Sequence, residues 1–291
     1  MRAARHWLWL AGLLCSCALI GRHLVEIPPE VSPLAPMSLE TIPPRPAEAI
    51  GGTEFAERTA DLPVEERQAT ALAEIRAGNV PQFLRALVPV ELRAEGVAAV
   101  ATVWVMPDYL AIGSDEDFLR WPFTWPGAQE ASRALGLVPA TTRIADACWA
   151  QAALRLRPQP MPACKEMVDN PYFLEHQRRV EEQRHGRATG QLTAGHKKDV
   201  VLTVRLRERA GRVAIYGWHH PDGTPIQPLT IVHLAGYADY SHGLRLVYPV
   251  AQVDGREVPL LQALQDPELA PLFSDEGVIP APEELLAPAI L

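Results

Sequence analysis

One window of the sequence, residues 195–243, combines a strand pattern with many of the side chains able to do chemistry. Two runs in it, 198–207 and 212–219, are rich in β-branched and aromatic residues, and a short link containing Gly211 separates them. That pattern is typical of a β-hairpin. A third run of the same character follows at 244–253. The window holds five of the nine histidines, namely His196, His219, His220, His233 and His242.

The spacing of the hairpin predicts which polar residues meet. If residues 207 and 212 pair, antiparallel counting puts Asp199 opposite His220 and beside His219. A carboxylate that orients an imidazole is a common arrangement for a general base. We therefore predict His219 or His220 as the base and Asp199 as its orienting partner. A structural Asp–His pair at a sheet edge is the alternative.

A second polar cluster, residues 237–243, precedes the third run. If that run returns beside the second strand, the cluster joins the same rim of one sheet. Ser241 or an activated water is then the predicted nucleophile, and Lys198 and Tyr240 stabilise the developing negative charge. A hydrogen-bonded turn is the alternative for this cluster. The complete predicted site is His196, Lys198, Asp199, His219, His220, Asp239, Tyr240, Ser241 and His242.

Metal chemistry is a competing hypothesis for the same residues. Imidazoles and carboxylates of this window could supply three zinc ligands and leave one position open. However, no pair has a recognised zinc spacing, and the sequence contains no His-Glu-x-x-His, Cys-x-x-Cys, phosphate loop or Gly-x-Ser-x-Gly motif. We therefore predict a site without metal or cofactor.

Helices dominate the chain before this window. Helical patterns occupy residues 61–77, 126–135, 141–156 and 171–187. A strand hairpin is predicted over residues 88–105, and a short helix is predicted to begin near Asp115. Helices followed by strands, instead of an alternation of the two, indicate an α+β fold with an antiparallel sheet.

The first 60 residues differ in composition from the remainder. Residues 1–20 begin with basic residues and continue as an apolar stretch that is short for a membrane-spanning helix. This pattern predicts an export signal. Cleavage after Ala18, a lipoprotein signal using Cys17 and an uncleaved anchor are the three alternatives. Residues 21–60 are rich in proline and predict an extended tether, so the globular domain is expected at 61–291. The predicted location is extracytoplasmic: periplasmic, outer-membrane lipoprotein or secreted.

Charge and cysteine content limit the partners. The net charge of −8 disfavours a nucleic-acid partner, since phosphate contacts need a basic surface. Cys148 and Cys164 are the cysteines outside the predicted signal, and an oxidising compartment would allow a disulfide between them. Two separate thiols are the alternative. The N-terminus is a possible membrane tether.

Several motifs of this sequence resemble a family of exported bacterial proteins. They are Gly-His-Lys-Lys-Asp at 195–199, Tyr-Gly-Trp-His at 216–219 and Tyr-Ala-Asp-Tyr-Ser-His-Gly at 237–243. The resemblance covers most of residues 80–280 and implies that the three clusters belong together in an extracytoplasmic protein. The resemblance implies no particular reaction. From the residues, we predict a hydrolase that acts on an envelope or extracellular glycan or peptide by His/Asp acid–base catalysis. A non-catalytic ligand-binding protein and a zinc-dependent hydrolase are the alternatives.

Overall fold

A computed structural model describes residues 35–287, so the predicted signal segment lies outside the described residues. Within that range, no helix is both long enough and apolar enough to span a bilayer. The α-helices are α1 Gly52–Arg58, α2 Val64–Arg76, α3 Trp125–Leu135, α4 Thr142–Gln151, α5 Asn170–Arg184, α6 Leu260–Ala263, α7 Ala270–Phe273 and α8 Pro282–Leu286. Short 3₁₀ helices occupy Gln82–Arg85, Lys165–Val168 and Val204–Arg207.

The strands form several small sheets, most of them antiparallel. In chain order they are β1 Met37–Ser38, β2 Ala86–Leu92, β3 Ala101–Val105, β4 Ala111–Gly113, β5 Phe118–Arg120, β6 Val138–Pro139, β7 Leu154–Arg155, β8 Thr193–Ala194, β9 Lys198–Val200, β10 Ile215–His219, β11 Pro225–Thr230, β12 His242–Gly243, β13 Leu246–Val247, β14 Val250–Val253 and β15 Arg256–Pro259. One sheet has the order β1-β2-β3-β13-β6, with β14 on β3 and β15 on β14. A second has the order β11-β10-β9-β12. The predicted α+β fold is confirmed.

Local signals explain the two central helices. At the start of α3, the Thr124 hydroxyl accepts a hydrogen bond from the backbone N–H of Gly127, and Gly136 ends the helix in the left-handed conformation at φ 66°. The hydroxyl of Thr141 caps α4 in the same way through the N–H of Ile144. Helix α4 ends at Gln151, five residues before the predicted end.

The segment after β3 was predicted wrongly. In place of a short helix beginning near Asp115, β4 and β5 form a tight antiparallel hairpin. The hydroxyl of Ser114 accepts hydrogen bonds from the backbone N–H groups of Glu116 and Asp117, and Gly113 supplies a φ of 122°. These side-chain bonds satisfy the backbone in a turn and compete with a helical start.

Part of the predicted tether is folded. Strand β1 pairs with β2, and helix α1 buries Phe55, which is 1% exposed. Leu39 and Ile42 are buried as well. The prediction of an extended tether over residues 21–60 is therefore wrong for 37–58, because a few well-placed apolar side chains are enough to anchor a proline-rich segment to the core.

The hairpin of the sequence window exists with another register. Strand β9 pairs antiparallel with β10, but Asp199 lies opposite Tyr216 instead of His220. The predicted register is wrong because the chain leaves the strand after Val200 and forms the 3₁₀ helix Val204–Arg207, so the strand is much shorter than its apolar pattern. The third run does not return beside β10, since β12 pairs with β9 in parallel and the following strands join the other sheet.

The two described cysteines are not bridged. Cys148 is buried on α4 and Cys164 is exposed, and both are free. Burial raises the pKa of the Cys148 thiol to about 12, so it stays protonated. The predicted disulfide between them is wrong, and packing accounts for Cys148.

Candidate functional site

Strand β9 and its neighbours converge on a group of buried polar side chains, which we call the buried polar cluster. Each member is at most 3% exposed. Burial of so many ionisable groups requires partners for their charges, and such clusters occur often at functional sites. The members are Asp108, Tyr109, Arg120, His196, Lys197, Asp199 and Arg245.

A buried ion pair forms the first part of the cluster. The guanidinium of Arg120 donates to both carboxylate oxygens of Asp108, at 2.9 and 2.7 Å. Nε2 of His196 lies 3.0 Å from the same carboxylate. Burial raises the pKa of Asp108, but Arg120 and His196 outweigh it and hold that pKa well below its usual value. His196 is thus bonded to the buried Asp108 and has no exposure to solvent.

Asp199 lies in the second part of the cluster. Its Oδ2 accepts a 2.9 Å hydrogen bond from the Tyr109 hydroxyl, and Nε of Arg245 lies 3.9 Å from Oδ1. Burial raises the pKa of Asp199 to about 6. The predicted hydrogen-bonded pair between Asp199 and His219 or His220 is wrong, because Tyr109 takes the place of the imidazole. His220 is exposed and its backbone N–H donates to the carbonyl of Thr224 in a turn.

His219 has a different carboxylate partner. Its Nε2 donates to Oδ1 of Asp146 on α4 at 2.7 Å, and the Tyr216 hydroxyl lies 2.9 and 3.0 Å from the two oxygens of that carboxylate. The imidazole stacks on Trp149 with ring centroids 5.7 Å apart. The imidazole is 3% exposed, whereas the Asp146 side chain is 47% exposed. A buried imidazole is thus bonded to a carboxylate that is accessible to solvent.

The Asp146 carboxylate reaches a surface pocket of about 240 Å³. The pocket is lined by charged side chains from α4 and from the end of β2, including Arg93 and Arg143, and by Asp275. Arg143 forms a 2.7 Å ion pair with Asp275. We call this opening the Asp146 pocket.

The backbone behind His219 has an unusual conformation. Gly217 and Trp218 have φ values of 95° and 57°, and the second is a left-handed conformation that bulky residues rarely adopt. A Cβ at Gly217 would lie 3.1 Å from Cε1 of His219 and 3.4 Å from Oδ2 of Asp199. Gly217 therefore lies between the carboxylate of Asp199 and the imidazole of His219, whose Nε2 binds Asp146. Such strained segments cluster at functional sites.

The 239–242 cluster forms a bonded turn. Oδ1 of Asp239 accepts from the backbone N–H and the hydroxyl of Ser241, at 2.8 and 2.5 Å, and Oδ2 accepts from the Tyr237 hydroxyl at 2.9 Å. This geometry is the hydrogen-bonded turn that was the alternative to a catalytic cluster. His242 is completely buried and neither ring nitrogen has a hydrogen-bond partner among residues 35–287.

Tyr240 and Lys198 occupy different surroundings. The Tyr240 hydroxyl accepts a hydrogen bond from the backbone N–H of Met161 at 2.8 Å. The backbone carbonyl of Tyr240 accepts one from Nζ of Lys197 at 2.5 Å. Lys198 is half-buried with Nζ 5.1 Å from the centre of the Trp218 ring. Most of the predicted site residues thus fall into two separate groups. One contains Asp199 and His219, and the other contains Lys198, Asp239, Ser241 and His242. The remaining three lie apart: His196 pairs with Asp108, His220 is in an exposed turn and Tyr240 bonds to Met161.

Sequence reasoning missed Asp146, Tyr109, Arg120 and Arg245. Nothing in the periodicity of α4 distinguishes Asp146 from an ordinary solvent-facing aspartate, because its partners come from β10. The Met-Pro-Asp-Tyr run at 106–109 places an Asp-Tyr pair directly after an apolar strand pattern, and that local signal could have pointed to Asp108 and Tyr109.

The metal hypothesis gains no support from the side-chain arrangement. Over residues 35–287, no three or more His, Cys, Asp or Glu side chains are grouped so that they could hold a metal ion. Comparisons with protein-family models, with curated proteins and with solved structures gave no match.

Proposed function

We propose that this chain is a hydrolase in which the carboxylate of Asp146 is the catalytic acid–base group. The observation that carries the proposal is the Asp146–His219 pair, in which a buried imidazole bonds to a carboxylate that is half-exposed in a pocket. The other imidazole–carboxylate pair described above, His196–Asp108, is sealed from solvent at both ends. Of the two pairs, only Asp146–His219 can reach a substrate.

The geometry suits proton transfer. Tyr216 and His219 donate to the Asp146 carboxylate and fix its orientation, while its exposed side remains open to solvent. In the proposed reaction, Asp146 accepts a proton from water as the water oxygen bonds to the scissile carbon. The same proton then passes to the leaving oxygen or nitrogen as the scissile bond breaks, so Asp146 returns to its starting state.

The proposal changes one role predicted from the sequence. His219 or His220 was predicted to be the base. Burial keeps the His219 ring from the substrate, so His219 acts here as a positioning residue for Asp146. The carboxylate of Asp199 lies on the other side of Gly217 from the imidazole; burial raises its pKa to about 6, and His219 is one of the groups that act against that rise. The proposed roles of Lys198, Ser241 and Tyr240 in stabilising or attacking the substrate are not retained.

The proposed substrate remains a glycan or peptide polymer outside the cytoplasm. The pocket is below the range of about 300–1,000 Å³ typical of sites for drug-sized ligands, which suits a single unit of a polymer. Its charged lining suits a polar unit that can hydrogen-bond to carboxylates and guanidinium groups. Export and a membrane tether at the N-terminus stay part of the proposal.

Hydrolysis by matched variants tests the proposal. The full chain is assayed for release of soluble fragments from peptidoglycan, other envelope glycans and peptides. We expect Asp146→Asn, which preserves shape and removes the base, to lower turnover by at least about 100-fold. Asp61→Asn, at an exposed aspartate outside the pocket, is the control and should keep wild-type turnover.

Two results would count against this function. Turnover by Asp146→Asn equal to that of Asp61→Asn would remove Asp146 from the reaction. Saturable polymer binding with no fragment released by the wild type would favour the non-catalytic ligand-binding alternative. Circular dichroism of each variant separates a loss of chemistry from a loss of fold.

A further inference from the structure

The residues Lys198, Trp218 and His242 lie together on the sheet face opposite to the Asp146 pocket. Lys198 is the cross-strand neighbour of His242 on β12 and of Gly217 on β10. Directly opposed residues project from the same face of a sheet, so the side chains of Lys198 and His242 are adjacent. Asp199 and Tyr216, one position along their strands, project from the other face.

Trp218 joins this group through its strained backbone. A regular strand would alternate the direction of residues 217, 218 and 219, but the φ of 57° at Trp218 breaks that alternation. The indole ends beneath Lys198, whose Nζ lies 5.1 Å from the ring centre. The protein thus holds an unfavourable conformation that brings the indole to the ammonium group.

The unpaired polar atoms in this group are mainly hydrogen-bond donors. Nε1 of Trp218 is buried without a partner among the described residues, and an indole N–H can only donate. The ammonium of Lys198 also can only donate. His242, completely buried, has no partner for either ring nitrogen along the described chain, and its neutral form supplies one further donor.

Asp239 is near enough to interact electrostatically with Lys198 and His242, but it accepts no hydrogen bond from either of them or from Trp218. Each oxygen of Asp239 already accepts from Tyr237 or Ser241, three hydrogen bonds in all. Buried donors without acceptors destabilise the folded protein, because they lose their hydrogen bonds to water without replacement. A ligand that brings acceptor oxygens and negative charge would remove that destabilisation.

The group reaches the surface through half-buried side chains. Lys198, His233 and Tyr237 are each partly exposed. The rings of His233 and Tyr237 stack at 4.5 Å, and Tyr237 meets the edge of His242 at 5.8 Å between ring centres. These rings cover His242, which is completely buried, so a ligand that reaches it must be small or end in a small charged group.

We propose that Lys198, His242 and the indole N–H of Trp218 form a binding site for a small oxyanion, either a free carboxylate or phosphate or the same group at the end of a larger molecule. The site is separate from the Asp146 pocket and does not depend on the proposed hydrolysis. The ammonium supplies charge, while the indole and imidazole supply fixed donors that orient the oxygens.

Titration followed by NMR tests the site in the full chain. Inorganic phosphate and acetate are added in separate experiments at constant ionic strength, and the indole N–H signals are recorded. The Trp218 signal is assigned by its loss in Trp218→Phe, which keeps a ring and removes the donor. We expect a saturable shift of that signal with phosphate, acetate or both, and the pattern identifies which oxyanion the site accepts.

Matched charge variants complete the test. Lys198→Met should weaken binding at least tenfold, while Lys165→Met, at a side chain that is 92% exposed, should leave it unchanged. The proposal is overturned if neither ion gives a saturable shift in the wild type. It is also overturned if both lysine variants bind as the wild type does. If Lys198→Met does not fold, unchanged phosphate and acetate affinity in Trp218→Phe, measured by calorimetry, overturns it instead.

Discussion

At the scale of single residues, burial of imidazoles links this fold to pH. Burial lowers the pKa of both His196 and His242 to about 4. In the unfolded chain a histidine titrates near pH 6.5. Between those values the unfolded state binds more protons, so acidification from about pH 6.5 to about pH 4 lowers the free energy of unfolding.

His242→Gln tests that linkage directly, because glutamine keeps hydrogen-bonding atoms and does not titrate. We expect the unfolding free energy of the variant to change less than that of the wild type between pH 7 and pH 4.5. Urea denaturation at a series of pH values measures the difference. Asp199 acts in the opposite direction, since its raised pKa of about 6 lowers stability as pH rises, and both proteins share that contribution. Parallel pH profiles would contradict the buried, neutral state of His242.

At the scale of elements, strand β10 carries the geometry of both proposed sites. Gly217→Ala puts a methyl group 3.1 Å from Cε1 of His219 at a residue with φ 95°. We expect a loss of about 1–3 kcal/mol in stability from backbone strain and contact, together with reduced hydrolysis because His219 is displaced from Asp146. Chemical denaturation and the polymer assay measure the two effects.

Gly211→Ala is a matched control for that substitution. Its φ is 73°, so it has a comparable backbone penalty, but a Cβ there has no atom within 4 Å. The variant should be destabilised less than Gly217→Ala and should hydrolyse as the wild type does. Equal stability and activity in the two variants would mean that backbone strain alone explains the effect and that contact with His219 contributes nothing.

The same strand shows what the sequence could and could not predict. Periodicity located α2, α3, α5 and the β2–β3 hairpin, because caps and apolar spacing are local signals. The Asp199 partner was missed because register depends on where β9 ends, which tertiary packing decides. The Asp146–His219 bond joins residues 73 positions apart, and no local pattern carries that information.

At the scale of the whole molecule, the proline-rich N-terminal segment belongs to the folded unit. The guanidinium of Arg45 donates to the side chain of Asn79 and to the carbonyls of Gly113 and Ala49. Phe55 meets the edge of Trp121 with ring centres 5.1 Å apart. These contacts reach the loop after α2, the end of β4 and the residue that follows β5, so the segment packs against one side of the core.

Phe55→Ala measures how much that closure contributes. Removal of a fully buried phenylalanine should lower the free energy of unfolding by about 3–5 kcal/mol, measured by urea denaturation of the full chain. Glu54→Ala, a half-exposed neighbour on α1, should change it by about 0.5 kcal/mol or less. A tether that only spaces the domain from a membrane would tolerate both changes equally. A loss confined to Phe55→Ala would instead show that residues 37–58 are a structural part of the domain, and that any tether must lie nearer to the N-terminus.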